Sequence, residues 1–262
     1  VGRKPVFASL EEVEAYLRKV HAPFGPLTDA QWQHLAKYGA RLEGGQYRLA
    51  YDPNITDAFV EPIIEDIVLW PVWDAIKAKT LVIRGAESDL LPAVVAQEMA
   101  RRGPKTRVAE IAGCGHAPAL MARDQVMLVC DWLDLSSRNV SIMRGADEAI
   151  DSLMRAFCVP AVDNIIVCPP TFAMYRQSAI LQGVEVREAP LAEGFALDVD
   201  GVLAAVDDNT KLVFVCSPNN PTANLMDRQA VERLCLSLAG RALVVVDETY
   251  IEYAGVDSMA KA

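Results

Sequence analysis

From Lys79 onward the sequence alternates short β-rich runs with segments of helical period, and this alternation is the strongest constraint on the fold. Thr80-Leu81-Val82-Ile83-Arg84 closes on Gly85. A helix is expected over 93–102, a strand over 106–111 and a helix over 119–133. After Leu135-Ser136-Ser137 the pattern restarts. Helices expected over 148–157, 172–181, 199–206 and 228–238 lead to strands at 164–168, 184–189, 211–216 and 242–246. Consecutive strands separated by helices pair in parallel, and the crossover helices then cover both faces of the sheet. The expected class is therefore α/β, three layers around a mostly parallel sheet.

Residues 1–78 read differently, as a mostly helical section. Ser9 with Glu12, and Thr28 with Gln31, have the spacing at which a hydroxyl and a longer acceptor satisfy free amides of a first helical turn. Tyr16, Leu17 and Val20, then Trp32, Leu35 and Tyr38, follow at helical spacing. A polar stretch over 43–54 separates these from a helical run near 61–76, which Pro71 is expected to interrupt. The join near residues 131–140, DWLDLSSRNV, is neither long nor rich in Gly and Pro, so it reads as a splice through secondary structure rather than a linker. A chain that begins at Val1 is expected to have been cut from something longer.

Thirty-five acidic against 25 basic residues give a net charge of −10, which argues against nucleic acid or an anionic membrane as partner. No apolar stretch approaches the ~18 residues of a membrane helix. The six cysteines form no CxxC and no metal spacing, and several sit inside apolar runs. Reduced thiols and a cytoplasmic location are expected. Small molecules are the expected partners, with self-association through exposed sheet edges.

Two sets of residues carry chemistry. The first is Asp89 in GAESDLLP and His116 in GCGHAP, each just after a β-rich run. A histidine that accepts a nucleophile's proton needs a carboxylate to fix its tautomer, and loops at strand ends place such groups in a cleft. In this order and context, residues 1–135 resemble the carboxy-terminal half of an α/β-hydrolase. The resemblance implies cap helices over 1–78, the last two sheet strands over 79–135, and Asp89 and His116 as acid and base. The sequence holds no G-x-S-x-G turn and no HGG-type oxyanion loop, so the pair has no nucleophile to activate.

The second set runs through RGADEAIDSLMRAFC, CPPTFAMY, VCSPNNPTA and VVVDETYIEY. Asp247 directly follows an apolar run, where a buried carboxylate needs a partner. With these motifs, residues 138–262 resemble the central part of histidinol-phosphate aminotransferase, a fold-type I enzyme that uses pyridoxal phosphate. The resemblance implies that Ala146 and Asp147 present backbone N–H groups of a helix N-terminus to the cofactor phosphate. Phe172 would stack on the pyridine ring. Asn220 and Tyr250 would bond the ring oxygen, and Asp247 would pair with the ring nitrogen. The turn glycine of the family's NPTG is Ala223 here. The family's cofactor-bearing lysine has no counterpart, because Lys261 lies too close to Asp247. The combined expectation is a hybrid of two incomplete α/β fragments without efficient catalysis and with weak or vestigial pyridoxal-phosphate affinity. The alternatives are an aminotransferase-like or a serine-hydrolase-like enzyme completed by another chain. Two half-sheets are expected to share one sheet or to associate.

Overall fold

Ser9 accepts the Glu12 N–H at 3.3 Å and starts α1, Leu10–Val20. The Glu12 carboxylate reaches back to the Ala8 N–H at 2.8 Å, one residue earlier than a strict capping box requires. Thr28 and Gln31 form the full reciprocal box at the head of α2, Asp29–Gly39. This computed structural model describes residues 5–52, 54 and 68–261, with the side chain of Lys261 outside that description. Two units divide the chain, Val1–Ile142 and Met143–Ala262.

In the first unit, the section expected to be mostly helical also contains a small antiparallel sheet. Its strands are β1 (Val6–Phe7), β2 (Ala40–Glu43) and β3 (Gln46–Leu49), in the order β1-β3-β2. Gly44 and Gly45, at φ 58° and 79°, make the two-residue turn between β2 and β3. Both central residues of such a turn need positive φ, so a glycine pair is its signature. Phe7, Val13, Leu17, Trp32, Ala36 and Leu49 form the core beneath it. The expected helical run near 61–76 lies outside the described residues up to position 67. Beyond it, α3 spans Trp70–Ala75, and Pro71 sits in its first turn instead of interrupting it. The missing proline N–H has no helical partner there in any case.

Next come β4 (Leu81–Gly85), α4 (Ala93–Arg101), β5 (Arg107–Ile111) and α5 (Arg123–Leu133), with β4 and β5 paired in parallel. The loops after the two strands are knitted together. A Cβ at Gly85 would lie 1.9 Å from the Gly115 carbonyl oxygen, so only glycine permits this approach. Buried Arg84 donates to the carbonyls of Leu91 (3.1 Å) and Ala86 (3.2 Å) and pairs with Glu110.

The second unit contains α6 (Ala146–Phe157), β6 (Asn164–Val167), α7 (Met174–Leu181), β7 (Glu185–Glu188), α8 (Val199–Ala205), β8 (Thr210–Cys216), α9 (Arg228–Leu238), β9 (Leu243–Asp247) and α10 (Ile251–Ala254). Its sheet is wholly parallel, in the order β7-β6-β8-β9. Successive residues of one strand point to opposite faces. Ile166, Val213 and Val215 therefore pack with Val199 and Val202 of α8 and Val231, Leu234 and Leu238 of α9. Ile165, Val167, Leu212 and Phe214 pack on the other face with Ile150 and Met154 of α6 and Tyr175 and Ala179 of α7. Both faces are covered, which is why the central strands read as unbroken apolar runs. Each fully buried Val, Leu, Ile or Phe contributes roughly 1.5–3 kcal/mol. The mixed α/β class with a parallel sheet is thus established. Each unit carries its own parallel sheet, β4-β5 in the first and β7-β6-β8-β9 in the second. Among the described residues, no helix is long and apolar enough to cross a membrane. Five of the six cysteines are buried, and Cys235 is exposed.

Candidate cofactor-binding site

Chain order reverses between β6 and β8. From β6 the chain goes first to β7 on one side and then to β8 on the other. In an open parallel sheet, a crevice forms at the carboxyl ends of the strands flanking such a reversal. The site residues of the second unit follow those ends. Phe172 comes after β6, Asn220 after β8, and Asp247 and Tyr250 at and after β9.

Register places the ends side by side, with Cys216 opposite Asp247 and the Ser217 N–H donating to the Asp247 carbonyl at 2.9 Å. The Asp247 carboxylate is half-buried and accepts three hydrogen bonds. Oδ1 takes the Thr249 N–H at 3.0 Å and its hydroxyl at 2.6 Å, and Oδ2 takes the Tyr175 hydroxyl at 2.6 Å. Burial, then the bond to Asp247, pushes the Tyr175 phenol well above its usual range, so its proton stays in place. Burial likewise pushes the Cys216 thiol up.

The loop after β8 is organised by Asn219, which is buried. Its amide donates to the Pro170 carbonyl (2.9 Å) and to Thr222 Oγ1 (2.6 Å) and accepts from the Thr171 hydroxyl (3.0 Å). Ala223 donates its N–H to the Asn219 carbonyl at 2.7 Å and adopts φ 62°. That left-handed conformation is the one a glycine would take without strain. Asn220 and Tyr250 line one cavity of about 370 Å³ together with Asn219, Ala223 and Tyr253. Tyr250 is 44% exposed. Ala146 and Phe172 pack against one core cluster, on the α6–α7 face of the sheet. Gly145, at φ 91°, precedes Ala146 and supplies no side-chain cap to the α6 N-terminus, while Asp147 is exposed in the first turn.

This donor set matches what pyridoxal phosphate presents. An acid at a strand end suits a protonated ring nitrogen, an amide and a phenol suit a ring oxygen, and a helix N-terminus suits a phosphate. Sequence reasoning missed Tyr175, Thr171, Asn219 and Thr249. Tyr175 stands three residues beyond Phe172, and Asn219 sits in an Asn-Asn pair; these were the available signals.

The first unit gives a different result. His116 and Asp89 are both exposed. His116 Nδ1 lies 3.2 Å from Ser88 Oγ, and Asp89 makes no hydrogen bond to His116 among the described residues. Ser88 Oγ also accepts the Leu91 N–H at 3.0 Å, so its role is to close the turn that Arg84 braces. Among the described residues, no cluster of His, Cys, Asp and Glu could hold a metal ion.

A family model for aminotransferase class I and II matches residues 84–262. Histidinol-phosphate aminotransferase from Cytophaga hutchinsonii is 43% identical over 137 residues, covering 52% of this chain and 39% of that protein. The chain spans well under half the length of the curated relatives it matches. Among solved structures, an α/β hydrolase from Novosphingobium aromaticivorans is 29% identical with a TM-score of 0.45, covering 51% of this chain and 48% of that one. Tyrosine aminotransferase from Leishmania infantum is 28% identical with a TM-score of 0.41, covering 45% and 32%.

Proposed function

The chain belongs to the aminotransferase class I and II family, and from that premise we propose that residues 143–262 form the floor of a pyridoxal-phosphate site. The carrying observation is the Asp247 carboxylate, held by three donors at the carboxyl end of β9 beside the loop that bears Asn220. When bound, the cofactor supplies an electron sink for amino-group chemistry. The chain's own residues do the rest. Asp247 keeps a positive charge on the ring nitrogen. Asn220 and Tyr250 donate to the ring oxygen, and Phe172 covers a ring face. The N–H groups at Ala146 and Asp147 hold the phosphate, with the positive end of the α6 dipole behind them.

The same proposal treats the polypeptide as a hybrid. Residues 1–135 resemble part of an α/β-hydrolase, with Asp89 and His116 at its acid and base positions, and the aminotransferase family match overlaps this section from residue 84 onward. The aminotransferase part supplies the cofactor floor, with Asp247 as its anchoring acid. An absorbance spectrum recorded during titration with pyridoxal phosphate tests the reading. A saturable change in the cofactor band at micromolar concentration supports it. A spectrum that is the sum of its components up to millimolar cofactor refutes it.

A further inference from the structure

Resting on that cofactor reading, we infer that Tyr175 is a positioning residue for the cofactor's ring nitrogen and acts through Asp247. Tyr175 is 0% exposed. A phenol buried this deeply needs a partner for its hydroxyl. Its hydroxyl donates to Asp247 Oδ2 at 2.6 Å, across 72 residues of sequence. The ring of Tyr175 stacks on Phe214 of β8 at 4.7 Å between centroids and 16° between planes. It also meets Phe172, edge-on at 5.5 Å and 79°. One side chain therefore touches both groups that would meet the pyridine ring, the aromatic on its face and the acid at its nitrogen.

The geometry of the acid supports a positioning role. A carboxylate offers about four acceptor sites. Thr249 uses two on Oδ1, and Tyr175 uses one on Oδ2. The remaining site on Oδ2 is the one left for a ring N–H. The three donors come from α7 and from the loop after β9, so the carboxylate plane is set before any ligand arrives. With its phenol pushed up by burial, Tyr175 remains a donor throughout the working pH range. Preorganised donors of this kind cost no rearrangement when the charged partner binds.

The experiment compares the full-length wild type with Tyr175→Phe, Asp247→Asn and the double variant. Each is titrated with pyridoxal 5′-phosphate and with a benzene analogue that keeps the aldehyde, hydroxyl and phosphate but has no ring nitrogen. Thermal unfolding of every variant checks the fold. Tyr175→Phe keeps the ring stacking and deletes one oxygen. It should raise Kd for pyridoxal phosphate about tenfold, the scale of one charge-assisted hydrogen bond. It should leave Kd for the analogue within about twofold and add less than about twofold to Asp247→Asn. If Tyr175→Phe unfolds early, Thr249→Val replaces it: it removes a donor from Oδ1 at an exposed position and should show the same selectivity for the nitrogen-bearing ligand. Equal losses for the two ligands mean that Tyr175 only packs, and that overturns the inference. So does an unchanged Kd for pyridoxal phosphate, or losses that multiply in the double variant. Wild-type protein that binds only the analogue also overturns it, whereas wild-type protein that binds neither ligand refutes the cofactor reading itself and the inference with it.

Discussion

The Ser88 hydroxyl lies 3.2 Å from Nδ1 of His116, the ring position that a hydrolase would give to its acid. Ser88 is tied into its own turn by the Leu91 N–H, and Asp89 points its charge to solvent. A buried hydroxyl capping a turn is a poor nucleophile, and a histidine without a carboxylate has no fixed tautomer. The 262-residue polypeptide should therefore hydrolyse p-nitrophenyl acetate no faster than its His116→Ala variant. A drop of tenfold or more on substitution, about 1.4 kcal/mol in barrier, would reveal a nucleophile paired with His116.

Ala223 holds φ 62°, a conformation that costs a residue with a Cβ about 1 kcal/mol relative to glycine. Its N–H bond to the Asn219 carbonyl keeps it there. Ala223→Gly should stabilise the protein by about 1 kcal/mol in urea unfolding, with an unchanged slope. A lower midpoint would show that the added chain entropy of glycine outweighs the relief of strain.

Much of this fold was legible from sequence, for a physical reason. Strands covered on both faces must be apolar throughout, and their helices must show a stripe, so the β6–β9 region announces itself. The antiparallel sheet at 40–49 did not, because its strands, Ala40–Glu43 and Gln46–Leu49, alternate apolar and polar residues over only four positions each. Its Gly44-Gly45 pair was the signal to read. Asp247, Asn220 and Tyr250 were visible as types at strand ends. Tyr175 was not, since a tyrosine on a helix facing a sheet reads as core until its oxygen is seen against Asp247. Spacing placed Asp89 near His116, but it could not tell which of two adjacent residues would face the ring. The brace of Arg84 on the Leu91 and Ala86 carbonyls is associated with a loop in which Ser88 faces it.

Asp207 reports on the second unit at low pH. The Asn164 amide, then the Asn209 N–H, the Thr210 hydroxyl and Arg187, hold its carboxyl at about 2, below the ordinary 3.8. A depressed folded value means the stabilisation is complete above the ordinary value and is lost as pH falls toward the folded one. Wild-type urea midpoints should thus fall between about pH 4 and pH 2. Asp207→Asn should lower the midpoint at neutral pH and flatten the profile in that window. An unchanged acid slope would show that other carboxyls dominate it.

Pyridoxal-phosphate affinity of the wild type, Asp247→Asn and Phe172→Ala, read by fluorescence titration of one preparation each, tests the central claim most directly. A charge-assisted pair at the ring nitrogen is worth about 1.5–3 kcal/mol, and a single stacked aromatic about 0.5–1.5 kcal/mol beyond its area. The expected result is saturable wild-type binding in the micromolar range, weakened by Asp247→Asn more than by Phe172→Ala. Saturable binding that Asp247→Asn leaves unchanged would contradict the assignment of the cofactor site, as would a wild type that does not saturate below millimolar cofactor.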